Sequence, residues 1–260
     1  MSVPSVTLEA RGPVAIVTLA RPDVRNAVDG PTAAHLREVF EAFEADAALR
    51  VLVLTGADGQ FCAGADLKAM AEPARRNAIE PSGRAPGPMG PTRMRLTKPT
   101  IAAIEGHAVA GGLELALMCD LRVAARGAVL WVFCRRSGVP LIDGGTVRLP
   151  RIVGQARALD MILTGRAVGA DEALSFGLVN RIVDDGEALV AAIALATEIA
   201  AFPQRCLRAD RASAIAQWDL PLDEALRHEG AHGFDVVATE GLAGAERFAA
   251  GAGRHGERAD

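Results

Sequence analysis

"AVAGGLELALMCDLRVAA", residues 108–125, is built almost wholly from small and apolar residues, yet Glu114 stands between Leu113 and Leu115, just after Gly111-Gly112. An ionised carboxylate taken out of water costs several kcal/mol unless it is paired or its pKa rises. A Gly-Gly pair followed by an apolar run reads as a helix start, whose first amides lack intrahelical acceptors and lie at the positive end of the helix dipole. Two readings of Glu114 stand side by side. It faces solvent in the first turn and complements the dipole, or the fold holds it in a dry place for chemistry. Periodicity does not separate them.

Working outward, "TIAAIEG" (100–106) upstream reads as a strand. "VAIVTLA" (14–20), after Gly12-Pro13, and "RVLVLTG" (50–56) read as buried strands. Between those two, Pro31 suits the first turn of a helix in which Leu36, Val39, Phe40 and Phe43 recur at helical spacing. A strand, a helix and a strand in quick succession indicate an α/β layer arrangement. Residues 72–99, rich in Pro, Gly and Arg, read as an irregular or mobile segment of the kind that shapes a pocket mouth. Downstream, "LRVAARGAVLWVF" predicts a strand pair around Arg126-Gly127, 155–164 and 171–176 predict helices, and "GLVNRIV" a short strand. Residues 187–202 predict a strong helix, 204–250 are mostly helical, and the tail "GAGRHGERAD" is expected to be disordered. The organisation expected is a core domain over 1–200 and a C-terminal helical segment over 201–260.

Composition narrows the function classes. The 260 residues carry 32 acidic and 28 basic side chains, a net charge of −4, with no basic stripe interleaved with aromatics, which argues against nucleic acid as a partner. Cys62, Cys119, Cys134 and Cys206 show no metal-ligand spacing and read as reduced thiols of a cytoplasmic protein. "MSVPSVTLEARG" resembles no signal peptide, and no run approaches ~20 apolar residues, so no membrane span is expected.

A second stretch, "FCAGADLKAM" (61–70), places a small-residue turn with a central Gly after a buried strand. Such a turn lets backbone approach a ligand, and its amides can point at an anionic oxygen. Asp66 reads as the cap of the helix "LKAMAE". Together with "RPDVRNAVD", "KPTIAAIEGHAVAGGLELALMCD", "GVPLIDGGTVRLPRIVG", "LTGR", "EALSFGLVNRIV" and "EGLAGAERFAAG", in this order, these stretches resemble the enoyl-CoA hydratase/isomerase family, the crotonase superfamily, from about residue 14 to about residue 250.

The resemblance implies an α/β crotonase (ClpP/crotonase-like) fold: a spiral of ββα units with two sheets and a C-terminal α-helical segment for trimer contacts, assembled as trimers or dimers of trimers. It implies that the amides of Ala65 and Gly111 form an oxyanion hole for an acyl-CoA thioester. Loss of one such donor costs ~3–4 kcal/mol in related acyl chemistry. Glu114 matches the family's first glutamate, which handles a proton beside the thioester. Arg25, Ala63, Asp66, Leu67, Lys68 and Cys134 fall where relatives approach substrate or CoA, with surface solubility the competing reading for Arg25 and Lys68. Arg247 and Phe248 fall on a helix that packs against a neighbouring subunit and helps cover CoA. No metal or redox cofactor is implied, CoA being part of the substrate.

One feature of the family pattern is missing. The second glutamate of the hydratases falls, by an ungapped count, on Cys134, read here as pocket lining or as a nucleophile candidate beside Arg135 and Arg136. A working aspartate of other relatives falls on Ile142, one residue short of Asp143. Asp143 is then either a second acid or a side chain bonded to the amides of the following "GGT" turn. Among the rest, His107 reads as a packing histidine or pocket lining, Asn26 as a turn former, and Trp131 and Phe133 as acyl-chain borders or core. The function expected is acyl-CoA processing with one glutamate as general acid/base. Isomerisation, other CoA-thioester chemistry and non-catalytic acyl-CoA binding are the alternatives.

Overall fold

Where the sequence runs apolar without interruption, the computed structural model, which describes residues 4–84 and 86–251, places strands side by side at the centre of one sheet. The chain opens with β1 (Val6–Arg11), antiparallel to β2 (Val14–Leu19), and continues through α1 (Gly30–Ala45) to β3 (Val51–Gly56). Next come β4 (Thr100–Ile104), β5 (His107–Val109), α2 (Gly111–Met118), β6 (Leu121–Ala125) and β7 (Val129–Trp131). Helices α3 (Gly145–Val153) and α4 (Gln155–Thr164), strand β8 (Ala167–Gly169), α5 (Ala170–Ser175), β9 (Arg181–Val183) and α6 (Ala188–Ala201) follow. The large sheet has the order β1-β2-β3-β4-β6-β9, parallel from β2 onward, and the small one β5-β7-β8. Strands β2, β3 and β4 are buried along nearly their whole length, as parallel strands covered on both faces must be.

The expected spiral of ββα units is visible in how the chain alternates between sheets. Strand β4 in the large sheet leads to β5 in the small one and then α2, and β6 leads to β7 and then α3. Here the predicted strand pair around Arg126-Gly127 is corrected. Both strands form, but β6 pairs with β4 and β9 while β7 pairs with β5 and β8, so that turn carries the chain between sheets and closes no hairpin.

The described residues of 72–99 are irregular apart from a 3-10 turn at Pro91–Arg93. The segment is nonetheless anchored, because Asn77, Met89, Thr92 and Lys98 are buried. The predicted helix "LKAMAE" shrinks to a 3-10 turn, Ala69–Ala71. Residues up to Ile199 form one compact unit and those from Ala200 onward a second. The second holds α7 (Gln204–Ala216), α8 (Leu222–Val236), a π-helical turn at Val237–Gly241 and α9 (Leu242–Ala249). Within it the Glu240 carboxylate caps α7 by accepting from the Cys206 and Arg205 amides at 2.8 and 3.3 Å. The expectation of a disordered tail falls, but for Gly251, outside the described residues. Among the described residues no single helix is long and apolar enough to cross a membrane.

Candidate functional site

Glu114 lies in the first turn of α2 and is 2 % exposed, which rules out its solvent-facing reading. Its Oε1 accepts from the amides of Asp143 and Gly145, both at 2.8 Å. Only glycine allows that approach: a methyl group at position 145 would sit 2.9 Å from both Cγ and Oε1 of Glu114. Burial pushes the Glu114 carboxyl up from the ordinary 4.5 to about 7, and the Asp143 charge adds to the rise against the pull of the two amides. The carboxyl therefore exchanges a proton near neutral pH, as general acid–base work requires.

Asp143 is also buried, and it is among the residues that line the same cavity as Glu114. Its assignment to the amides of the "GGT" turn is corrected. Oδ1 accepts from the Met89 amide at 2.9 Å and from the Thr92 hydroxyl, while the Gly145 amide of that turn goes to Glu114. Burial raises the Asp143 carboxyl too, against the hydrogen bonds from Thr92 and Met89. The Asp143 carbonyl is held in turn by the half-buried Arg148 guanidinium at 2.9 Å.

The backbone around Ala65 and Gly111 explains why two amides are left over. Val28 donates to the Gly64 carbonyl at 2.8 Å and accepts from the Asp66 amide at 2.9 Å. In such a bridge the N–H of the intervening residue, Ala65, points to the opposite side, and Ala65 lines the cavity. Gly111 is the first residue of α2, where an amide has no intrahelical acceptor. Among the described residues neither amide finds a hydrogen-bond acceptor. Gly64 brings the two segments together: at φ 93° it takes a conformation that side chains resist, and a methyl there would lie 2.8 Å from the Val109 carbonyl and 3.1 Å from the Gly111 nitrogen. Ala110, the cap of α2, is itself held at φ 52° and ψ −118°, strain of the kind that accumulates at functional sites.

The cavity of about 230 Å³ is lined by Ala63, Ala65, Leu67, Gly111, Glu114, Phe133, Cys134 and Asp143, among others, including Ile142. That is below the usual range for a whole drug-sized ligand and suits part of one. Cys134 is pocket lining: burial and the nearby Glu114 raise its thiol, leaving it neutral and removing the nucleophile reading.

Other predicted residues lie elsewhere. Asp66 is corrected from a ligand-binding position. It is buried and paired with Arg21 at 3.0 Å and Arg75 at 3.4 Å, two guanidiniums that also hold Asp29, the cap of α1. It does accept from the Lys68 and Ala69 amides at 3.2 and 3.3 Å and so holds the Ala65 turn. Arg25 and Lys68 are exposed outside the cavity wall. His107 bonds Gln60 at 2.8 Å, away from the cavity. Asn26 ties the Arg21 amide to the Ala57 and Gln60 carbonyls. Phe133 borders the cavity, and Trp131, bonded to the Gly165 carbonyl, stands behind it with ring centroids 4.5 Å apart. Sequence reasoning missed Asn77, Met89, Thr92 and Arg148. Their polar bonds join residues far apart in the chain, and the first three lie where periodicity is silent.

Comparison with known proteins places this geometry among relatives. The family model described as enoyl-CoA hydratase/isomerase matches residues 9–248. The (E)-benzylidenesuccinyl-CoA hydratase of Thauera aromatica is 38% identical over 222 residues, 85% of this chain and 86% of its own. Enoyl-CoA hydratase EchA19 of Mycobacterium tuberculosis is 35% identical over 246 residues, 92% of this chain and 91% of its own. Among solved structures, enoyl-CoA hydratase EchA1 from Mycobacterium marinum matches with a TM-score of 0.88 at 37% identity, covering 95% of this chain and 96% of that one.

Proposed function

From the premise that the chain belongs to the enoyl-CoA hydratase/isomerase family, we propose that it adds water to, or removes it from, a double bond beside a CoA thioester, using Glu114 and Asp143 as its two carboxylates. The observation that carries the reading is that both residues line one cavity, with the Asp143 backbone amide 2.8 Å from Glu114 Oε1. The thioester oxygen is received by the Ala65 and Gly111 amides, which stabilise the enolate charge as it develops. Hydration then needs a base for the proton of water and an acid for the carbon beside the thioester. Glu114, raised to about 7 by burial and in part by the Asp143 charge, gives or takes a proton near neutrality, and Asp143 is the second carboxylate. Asp143 thus fills the role that the family's second glutamate would hold, and Cys134 is a wall. Leu67 and Ala63 border the acyl group, CoA enters as part of the substrate, and no further cofactor is called for. Exposed Arg25 and Lys68 serve the CoA phosphates outside the cavity.

A second reading, isomerisation of a 3-enoyl-CoA by Glu114 alone, draws on Cys134 standing at the second glutamate's place. Turnover of crotonyl-CoA and of a 3-enoyl-CoA by wild type, Glu114→Gln and Asp143→Asn separates the two. We expect hydration to fall by roughly 10²–10⁴-fold in either variant. Isomerisation that survives Asp143→Asn, with no hydration by wild type, would replace the hydratase reading with the second one. Saturable binding of both esters without turnover would leave a binding protein instead.

A further inference from the structure

The two carboxylates of the site are held from different parts of the chain. Glu114 Oε1 accepts from the Asp143 and Gly145 amides at the start of α3, both at 2.8 Å. Asp143 Oδ1 accepts from the Met89 amide at 2.9 Å and from the Thr92 hydroxyl, more than fifty residues upstream. Each carboxylate thereby keeps its other oxygen, Glu114 Oε2 or Asp143 Oδ2, free of hydrogen bonds among the described residues. Where those free oxygens point depends on how residues 89–92 sit against the turn at 143–145.

One guanidinium spans that junction. Arg148, on α3, donates from Nη1 to the Asp143 carbonyl at 2.9 Å and from Nη2 to the Thr92 carbonyl at 2.6 Å. These carbonyls belong to the residue whose amide holds Glu114 and to the residue whose hydroxyl holds Asp143. The two donors share one rigid plane, so the guanidinium itself sets the spacing of the two carbonyls. The turn leaves room for it: Gly144 lies at φ 97°, and a methyl there would collide with Arg148 Nη1. Arg93, which is exposed, ties the same two segments through the Ile142 carbonyl at 2.8 Å but holds neither supporting residue by its carbonyl. The positive charge of Arg148 favours ionised Glu114 and Asp143, yet burial outweighs it at both, so its grip matters more than its charge. Arg148 is half-buried and is not among the residues that line the cavity. On the proposed function, on which this inference rests, we infer that Arg148 is a positioning residue of the reaction: it locks the supports of Glu114 and Asp143 in register without touching the substrate.

The test is steady-state hydration of crotonyl-CoA by wild type, Arg148→Met and Arg148→Lys. In folded Arg148→Met, kcat is expected to fall by roughly 10- to 100-fold with KM changed by less than about threefold, since misplaced catalytic groups lose transition-state stabilisation first. Arg148→Lys keeps the charge and loses the planar fork, so it should regain no more than about threefold of that loss. An Arg148 that serves stability alone would leave kcat of the folded variants unchanged, and that result overturns the inference. So does wild-type kcat in Arg148→Lys, which would assign the effect to charge, or a raised KM with kcat intact. Gly144→Ala keeps Arg148 but crowds its Nη1, and should also lower kcat with KM held; if neither Arg148 variant folds, an unchanged kcat in Gly144→Ala overturns the inference. If wild type does not hydrate crotonyl-CoA, the proposed function falls and takes this inference with it. Wild-type turnover that the variants keep overturns the inference alone.

Discussion

In Glu114→Gln the side-chain oxygen still accepts from the amides of Asp143 and Gly145, while the ionisation is gone. The substitution therefore separates the charge of Glu114 from its hydrogen bonds. With the folded carboxyl raised to about 7 from 4.5, the native state keeps a proton that the unfolded chain releases between those values. Stability from this group is full below pH 4.5 and is lost as pH rises through 7, a total on the order of ~3 kcal/mol. Chemical denaturation should find Glu114→Gln more stable than wild type at pH 8, with the gap closing toward pH 5. A gap that stays constant with pH would mean that the carboxyl is not raised. At Cys134, whose thiol is neutral, Cys134→Ala should leave turnover of crotonyl-CoA within a few fold. A loss of a hundredfold or more would restore the thiol to the chemistry. At this scale the sequence is half legible. Glu114 stands out because an acid inside an apolar helix asks for an explanation. The surroundings of Asp143 do not, since Met89 and Thr92 reach it from more than fifty residues away, across a segment with no period.

The site depends on one helix start meeting another helix's side chain. Helix α3 begins at Gly145, and its first amide donates to Glu114 in the first turn of α2. Gly145→Ala would drive a methyl into Glu114, so either α3 retreats or Glu114 turns. Steady-state kinetics should show kcat down by roughly 10- to 100-fold with KM much less changed, since a misplaced catalytic group loses transition-state stabilisation first. An equal rise in KM with kcat intact would show that Gly145 serves binding. The start of α3 was not legible because little of "GTVRLPRIV" is buried, only Gly145, Leu149 and Val153, and Pro150 stands inside it. Strands β2, β3 and β4 were legible for the opposite reason: parallel strands covered on both faces need continuous apolar runs. The short strands β5 and β8, three residues each, leave too little pattern to read, and the pairing of β6 and β7 in different sheets is set by the spiral as a whole.

At the scale of the molecule, the polar machinery assembled above lies between residues 63 and 148, while the last helices carry a different signature. Trp218, Leu226, Phe234 and Phe248 are 54, 56, 74 and 58 % exposed. We propose that these exposed apolar side chains form an association surface. The family resemblance casts these helices in subunit contacts and in covering CoA, so the chain is expected to sediment as three or six copies of its 27.1 kDa. Phe234→Asp puts a charge among these residues and should shift the species toward one copy. Because Glu114, Asp143, Ala65 and Gly111 all lie in the first unit, the dissociated variant should keep its chemistry and lose hold of the coenzyme. The expected result is a KM for the CoA ester raised several-fold with kcat changed by less than about threefold, a loss of binding shared by ground and transition states. A wild-type chain that sediments as a single copy at every concentration would overturn the assembly. A dissociated variant whose kcat collapses while KM holds would show that the neighbouring copy reaches the reacting atoms themselves.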